Sequence, residues 1–132
     1  MTLIGTWELA SFFTTFQDGS TEHSYGDTPR GYIIYAADGF MSAHLWDPKR
    51  HRPGESDDGD PPYFSYCGTW ELRANSVFHH VLSSSHFHWG GTTVVRRVSL
   101  KGDEVELIAN EEFNGKKGVS VIRWRRFQPD KR

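Results

Sequence analysis

Gly31–Leu45 reads GYIIYAADGFMSAHL, and its alternation decides the fold. Ile33 and Tyr35 fall on one face of an extended segment running from Gly31 to Ala36. Successive side chains of a strand point to opposite faces, so a period of two marks a half-buried strand. Ala37-Asp38-Gly39 follows, and Asp-Gly supplies the positive φ that a tight hairpin turn requires. The chain returns through Phe40 to Trp46, with Met41, Ala43 and Leu45 on one side. The stretch predicts two antiparallel strands joined by a tight turn.

The same pattern extends in both directions. Upstream, Leu3 to Phe16 reads as a first strand with Trp7, Leu9, Ser11 and Phe13 sharing a face, closed by the turn Gln17-Asp18-Gly19-Ser20. Downstream, Asp47 to Pro62 (DPKRHRPGESDDGDPP) is charged, broken by Pro and Gly, and lacks periodicity. It reads as a surface loop or as a flap over a barrel mouth. Strands resume at Tyr63 to Arg73, Val77 to Ser83 and Gly91 to Leu100. Val105, Leu107 and Ala109 alternate in the next, and a hairpin around Asn114 and Gly115 leads to the last, Val119 to Phe127. GTWEL at Gly5–Leu9 is repeated at Gly68–Leu72, and each copy is expected to open a strand. Eight to ten hairpin-linked strands without a helix predict an all-β, antiparallel up-and-down barrel, since closure removes exposed edges.

Composition agrees. A chain of 132 residues fits one domain spanning 1–132. Aromatics make up 14 % of it, punctuated by 13 Gly and 6 Pro, which favours strands and turns over helices. Cys67 is the sole cysteine, so no intramolecular disulfide forms and a reducing compartment is expected. A net charge of −2 provides no basic field for nucleic acid. MTLIGTWEL lacks the pattern of a secretion signal, and no apolar run reaches the ~20 residues of a membrane helix. The expected setting is cytoplasmic, with neither nucleic acid nor membrane as partner.

Gly5-Thr6-Trp7 resembles the G-x-W element of lipocalins and related calycin barrels. The resemblance implies that a late Arg packs across that Trp, a part for Arg125 or Arg126. GTWELAS, GYIIYAADGFMSAHL, YCGTWEL, HHV, HWGGTTVVRRVSL and IRWRR occur in the order of the bacterial and fungal lipocalin-like domain family. That likeness implies a calycin-type β-barrel around an internal ligand cavity, and a setting in secondary metabolism. The family's longer, helical insert after the MSAHL strand has no counterpart here, since Asp47 to Pro62 is short and Pro-broken.

In a small barrel alternate residues point inward. Taking Trp7 as inward, and the more apolar face elsewhere, gives a lining of Trp7, Leu9, Phe13, Ile33, Tyr35, Met41, Ala43, Leu45, Tyr66, Trp70, Leu72, Val77, His79, Val81, Val94, Arg96, Val98, Leu107, Ile122 and Trp124. Of these, Trp7, Phe13, Tyr35, Met41, Leu45, Trp70, Val81 and Trp124 are candidates to touch a small apolar or aromatic organic ligand. Tyr35, Tyr66, His79 and Arg96 are out of place in an apolar core, because an unpaired buried polar group costs a few kcal/mol. They pair with each other, reach water, or serve a ligand.

His79, Arg96 and Tyr66 are the candidate catalytic residues. His79 is either a satisfied core residue or a proton carrier. Arg96 is either a structural cation or the group that polarises a carbonyl, with Arg97 as the alternative inward residue. Tyr35 and Tyr66 are donors to a ligand oxygen, or aromatic core. His79, His80, His86 and His88 lie close in sequence, and His86-x-His88 would share a strand face. No Cys or carboxylate joins them locally, so no metal site is assigned. No cofactor motif is present. Two functions fit. One is a cofactor-independent cyclase, isomerase or dehydratase acting on a conjugated carbonyl or polyketide-like metabolite. The other is a non-catalytic small-molecule carrier.

Overall fold

The computed structural model describes residues 2–49, 63–113 and 115–129. Its strands are β1 (Gly5–Phe16), β2 (Thr21–Glu22), β3 (Arg30–Tyr35), β4 (Phe40–Trp46), β5 (Tyr63–Arg73), β6 (Ser76–Ser84), β7 (Thr93–Lys101), β8 (Glu104–Phe113) and β9 (Lys116–Arg126). All neighbours pair antiparallel in one sheet, and β1 pairs with both β3 and β9. The eight long strands thereby close into a barrel, and β2 is a short addition to β1.

The β3–β4 hairpin follows from its sequence. Gly39 has φ 95°, the Ala36 N–H donates to the Phe40 carbonyl at 2.8 Å, and Tyr35 pairs with Met41. Ile33, Tyr35, Met41 and Ala43 are buried at 1 % exposure each, so the expected face is the inner one. On β9 the inward residues are Ser120, Ile122 and Trp124.

Two β-bulges alter the inferred register. In β1, Leu9 pairs with Trp124 but Ser11 with Arg123, so Ala10 is an extra residue. A bulge moves every later side chain to the other face. Trp7 and Leu9 point inward before it, and Phe12, Thr14 and Phe16 after it. Phe13, expected inside, instead sits against His23, with ring centroids 6.3 Å apart. The second bulge makes Leu82 extra in β6, since Gly68 pairs with Val81 and Cys67 with Ser83.

Three further expectations are corrected. Leu72, placed inside by alternation, is 47 % exposed near the end of β5. The second GTWEL does not open a strand: β5 begins at Tyr63, and Gly68 lies at its bulge. His86 and His88 share no strand face, because Phe87–Trp89 is a 3-10 turn that joins β6 to β7. Most of the segment read as a surface loop or a flap, residues 50–62, and Asn114 of the last hairpin lie outside the described residues.

Gly68 is needed for close approach, since a Cβ there would lie 1.9 Å from the His80 carbonyl oxygen. Gly68→Ala is therefore expected to force β5 from β6 and to destabilise by about 2 kcal/mol or more, as overpacking does. Urea unfolding measures it, and an unchanged midpoint would show that the strands part freely.

Candidate functional site

His79 lies on the inner face of β6 between Val77 and Val81, and is 1 % exposed. Its Nε2 is 2.7 Å from the Tyr35 hydroxyl of β3, and its Nδ1 is 2.8 Å from the Tyr66 hydroxyl of β5. The three rings bridge the barrel interior. Trp70, opposite His79 across β5 and β6, packs 4.9 Å from the Tyr35 ring and donates its indole N–H to the Ala36 carbonyl at 3.0 Å. It therefore fixes Tyr35 from behind.

Burial governs the protonation of this bridge. It depresses the basicity of His79 to about 3, helped by the Arg96 and His80 charges. It pushes Tyr66 up to about 12, against the pull of Arg96. Burial and Tyr66 drive Tyr35 well above its ordinary value. All three rings are therefore neutral near pH 7.

The hydrogens can then be counted. Two hydroxyls and one neutral imidazole carry three polar hydrogens, and the bridge uses two of them. The spare hydrogen belongs to whichever tyrosine accepts from the imidazole. Tyr35 is 1 % exposed and enclosed by Trp70 and His79, whereas Tyr66 lines a cavity. A stranded O–H on Tyr35 would cost ~1–3 kcal/mol. The count thus assigns Tyr35 O–H to Nε2, Nδ1–H to the Tyr66 oxygen, and the free O–H to Tyr66.

That cavity has a volume of about 220 Å³. Phe12, Tyr25, Ile33, Ala43, Leu45, Phe64, Trp89, Leu107, Ile122 and Trp124 give it mostly apolar walls. Trp89, carried by the 3-10 turn, meets Phe64 edge-on at 4.8 Å and stacks on Tyr66 at 5.8 Å. The polar lining is Ser24, Tyr66, Arg96 and Glu111. Arg96 is half-buried and donates to the Val95 carbonyl at 3.1 Å. Among the described residues it forms no ion pair. The buried Trp124 indole N–H has no acceptor among them either.

Of the residues singled out in the sequence, Leu45, Tyr66, Arg96 and Trp124 line this cavity. Tyr35, His79 and Trp70 stand behind Tyr66. Trp7, Met41 and Val81 are buried in the barrel but do not line the cavity, and Phe13 faces away. Phe12, Tyr25, Phe64, Trp89 and Glu111 line it without having been singled out. Glu111 was within reach of the pattern, being the next same-face residue after Leu107 and Ala109. His80 faces outward, bonded to Glu71 and Thr93. No cluster of three or more metal-ligating side chains occurs among the described residues.

At the closed end, the Arg126 guanidinium lies 4.0 Å from the centroid of the Trp7 ring. It also donates to the carbonyls of Ile4 at 2.8 Å and Thr2 at 3.0 Å. The eight strands thus form a closed antiparallel barrel with a Trp–Arg pair at one end and an internal cavity, an architecture that supports small-molecule binding. The chain belongs to the lipocalin-like domain family, whose model matches residues 4–127. It is similar to an uncharacterized protein from Bacteroides eggerthii known from a crystal structure. The two share 16 % identity over 96 % of this chain and 100 % of that one, with a TM-score of 0.48. No curated protein matches the chain. No helix among the described residues is long and apolar enough to cross a membrane.

Proposed function

We propose that the cavity takes a small, flat, largely apolar molecule by one carbonyl-type oxygen. On it the protein acts as a cofactor-independent enzyme of the isomerase, cyclase or dehydratase kind. The observation that carries this reading is that Tyr66, tied from behind to the buried His79, and Arg96 line one cavity, where the hydrogen assigned to the Tyr66 hydroxyl is free to donate. Donors fixed before the ligand arrives suit an oxygen on which negative charge builds during reaction. The aromatic rings of Phe64, Trp89 and Trp124 suit a flat partner. The cavity is smaller than the ~300–1,000 Å³ typical of drug-sized ligands, which favours one or two rings.

The role of His79 follows from its surroundings. With its basicity depressed to about 3, and standing behind Tyr66, it is a poor proton acceptor at neutral pH. It is a positioning residue that orients the Tyr66 hydroxyl.

Two probes test the reading. 2-Tetralone carries an enolisable C–H, and 2-naphthol presents the same skeleton as a flat hydroxyarene. The protein is expected to speed exchange of the 2-tetralone C1 hydrogens in D2O, followed by NMR, and to bind 2-naphthol with quenching of tryptophan fluorescence. Tyr66→Phe should slow exchange by ~100-fold, the scale for one oxyanion donor. It should weaken 2-naphthol binding by about tenfold, the equivalent of one hydrogen bond. Binding without exchange in the unaltered protein would make it a carrier and sink the enzyme reading.

A further inference from the structure

We infer that Glu111 is the group that takes a proton from carbon in this cavity, so that the ligand is an enolisable carbonyl compound with its acidic C–H towards β8. The inference rests on the reading above, in which Tyr66 and Arg96 hold the oxygen.

Glu111 is built into its place. The Ser120 hydroxyl of β9 donates to Glu111 Oε2. Ser120 Oγ lies 2.6 Å from Thr14 Oγ1 of β1, and both residues are 1 % exposed. Ser120 has one hydroxyl hydrogen, and Glu111 uses it. Thr14 must therefore donate to Ser120, and the chain runs one way, Thr14 to Ser120 to Glu111. The register explains the alignment. Ser120 pairs with Thr14 on one side and with Ala109 on the other, and Glu111 is the next residue on the face of Ala109. Gly118, which pairs with both Phe16 and Glu111, adds no side chain there.

One carboxylate oxygen is thus anchored and the other is available. Oε1 takes no hydrogen bond or ion pair from the described residues. Glu111 lines the inner cavity with Tyr66, and also two open grooves, of about 810 Å³ past Phe16 and Val119 and about 380 Å³ past Trp89. It therefore stands where the interior meets solvent. A base there reaches a ligand on one side and passes its proton to water on the other.

The step balances without a further reactant. Oε1 bonds to the hydrogen as the C–H bond breaks, and that electron pair forms a C=C bond. The carbonyl π pair moves to oxygen, where the Tyr66 hydroxyl and Arg96 hold the enolate. Return of the proton to the same carbon restores the ketone. Return to the γ-carbon of an unsaturated ketone gives its conjugated isomer. Nothing is oxidised or reduced.

Glu111→Gln keeps an acceptor for Ser120 and removes the base. It is expected to slow 2-tetralone exchange by ~100-fold or more, the scale for a positioned acid–base group, while 2-naphthol affinity and melting temperature stay near those of the unaltered protein. Glu111→Asp, with its carboxylate withdrawn, should retain measurable exchange. If Glu111→Gln exchanges normally while Tyr66→Phe does not, the role of Glu111 is overturned and the binding reading stands. If the unaltered protein shows no exchange, the role of Glu111 and the enzyme reading both fall, and 2-naphthol binding alone decides whether it is a carrier.

Discussion

Acidifying the protein from pH 7 to pH 4 is expected to remove about 3 kcal/mol of stability through His79 alone. The ordinary imidazole value is 6.5, and in the barrel it falls to about 3, first because burial denies the cation its water and then because Arg96 and His80 repel it. Between those values the unfolded chain binds one proton more than the folded one, so protons draw the equilibrium towards unfolding. Each pH unit below 6.5 is worth about 1.4 kcal/mol, and the loss stops near pH 3, where the folded form takes up the proton too. Exposed carboxylates such as Asp18 and Glu71 also weaken the fold in acid, and they do so equally in a His79 variant. Urea unfolding of the unaltered protein and of His79→Gln at pH 7, 5.5 and 4 isolates the term. The variant should be the less stable at pH 7 and should lack the steep loss. Parallel curves would show that His79 carries its ordinary basicity, and the neutral bridge with its spare Tyr66 hydrogen would go with it.

How much of this was legible in the sequence depends on what holds each feature. The β3–β4 hairpin was, because Asp38-Gly39 and the alternation around it are local. The inward faces of β4, β6 and β9 were, because one buried face makes alternation informative. The bulge at Ala10 was not. Nothing in Trp7–Phe13 (WELASFF) distinguishes an extra residue from a paired one, so alternation alone puts Phe13 on the inner face in place of Phe12. Trp89 was hidden for another reason: it reaches the cavity from a 3-10 turn, where the strand period gives no guide. Tyr35, Tyr66 and His79 stood out as polar groups on apolar faces, yet their mutual contact joins β3, β5 and β6 and has no sequence signature. Of the two readings open for His79 in the sequence, the proton carrier needs an ordinary basicity, and burial, which lowers it, has no signature in the sequence.

Trp7→Ala is expected to destabilise the protein by ~3–5 kcal/mol, a large part of the 5–15 kcal/mol that holds a domain of this kind. Trp7 is fully buried and stands at the seam where the barrel closes, pairing with Ile33 of β3 on one side and Arg126 of β9 on the other. Its indole N–H donates to the Leu3 carbonyl at 2.9 Å, and its ring carries the Arg126 guanidinium. Arg126 in turn holds the carbonyls of Thr2 and Ile4, so the Trp ring supports the contact that ties the N-terminal segment across the barrel end. Alanine leaves a void beneath Arg126 and releases that tie as well. Trp7→Phe separates the two losses, since it keeps an aromatic face for Arg126 and gives up the N–H, at a cost of about 1 kcal/mol plus a smaller ring. Arg126→Met keeps the Trp and removes the cation, for roughly 0.5–2 kcal/mol. Thermal and urea unfolding of the three variants should therefore rank Trp7→Ala well above the other two. An alanine variant within 1 kcal/mol of the parent, a bound set by the surface-substitution scale, would mean that β1, β3 and β9 close the barrel on their backbone pairing alone.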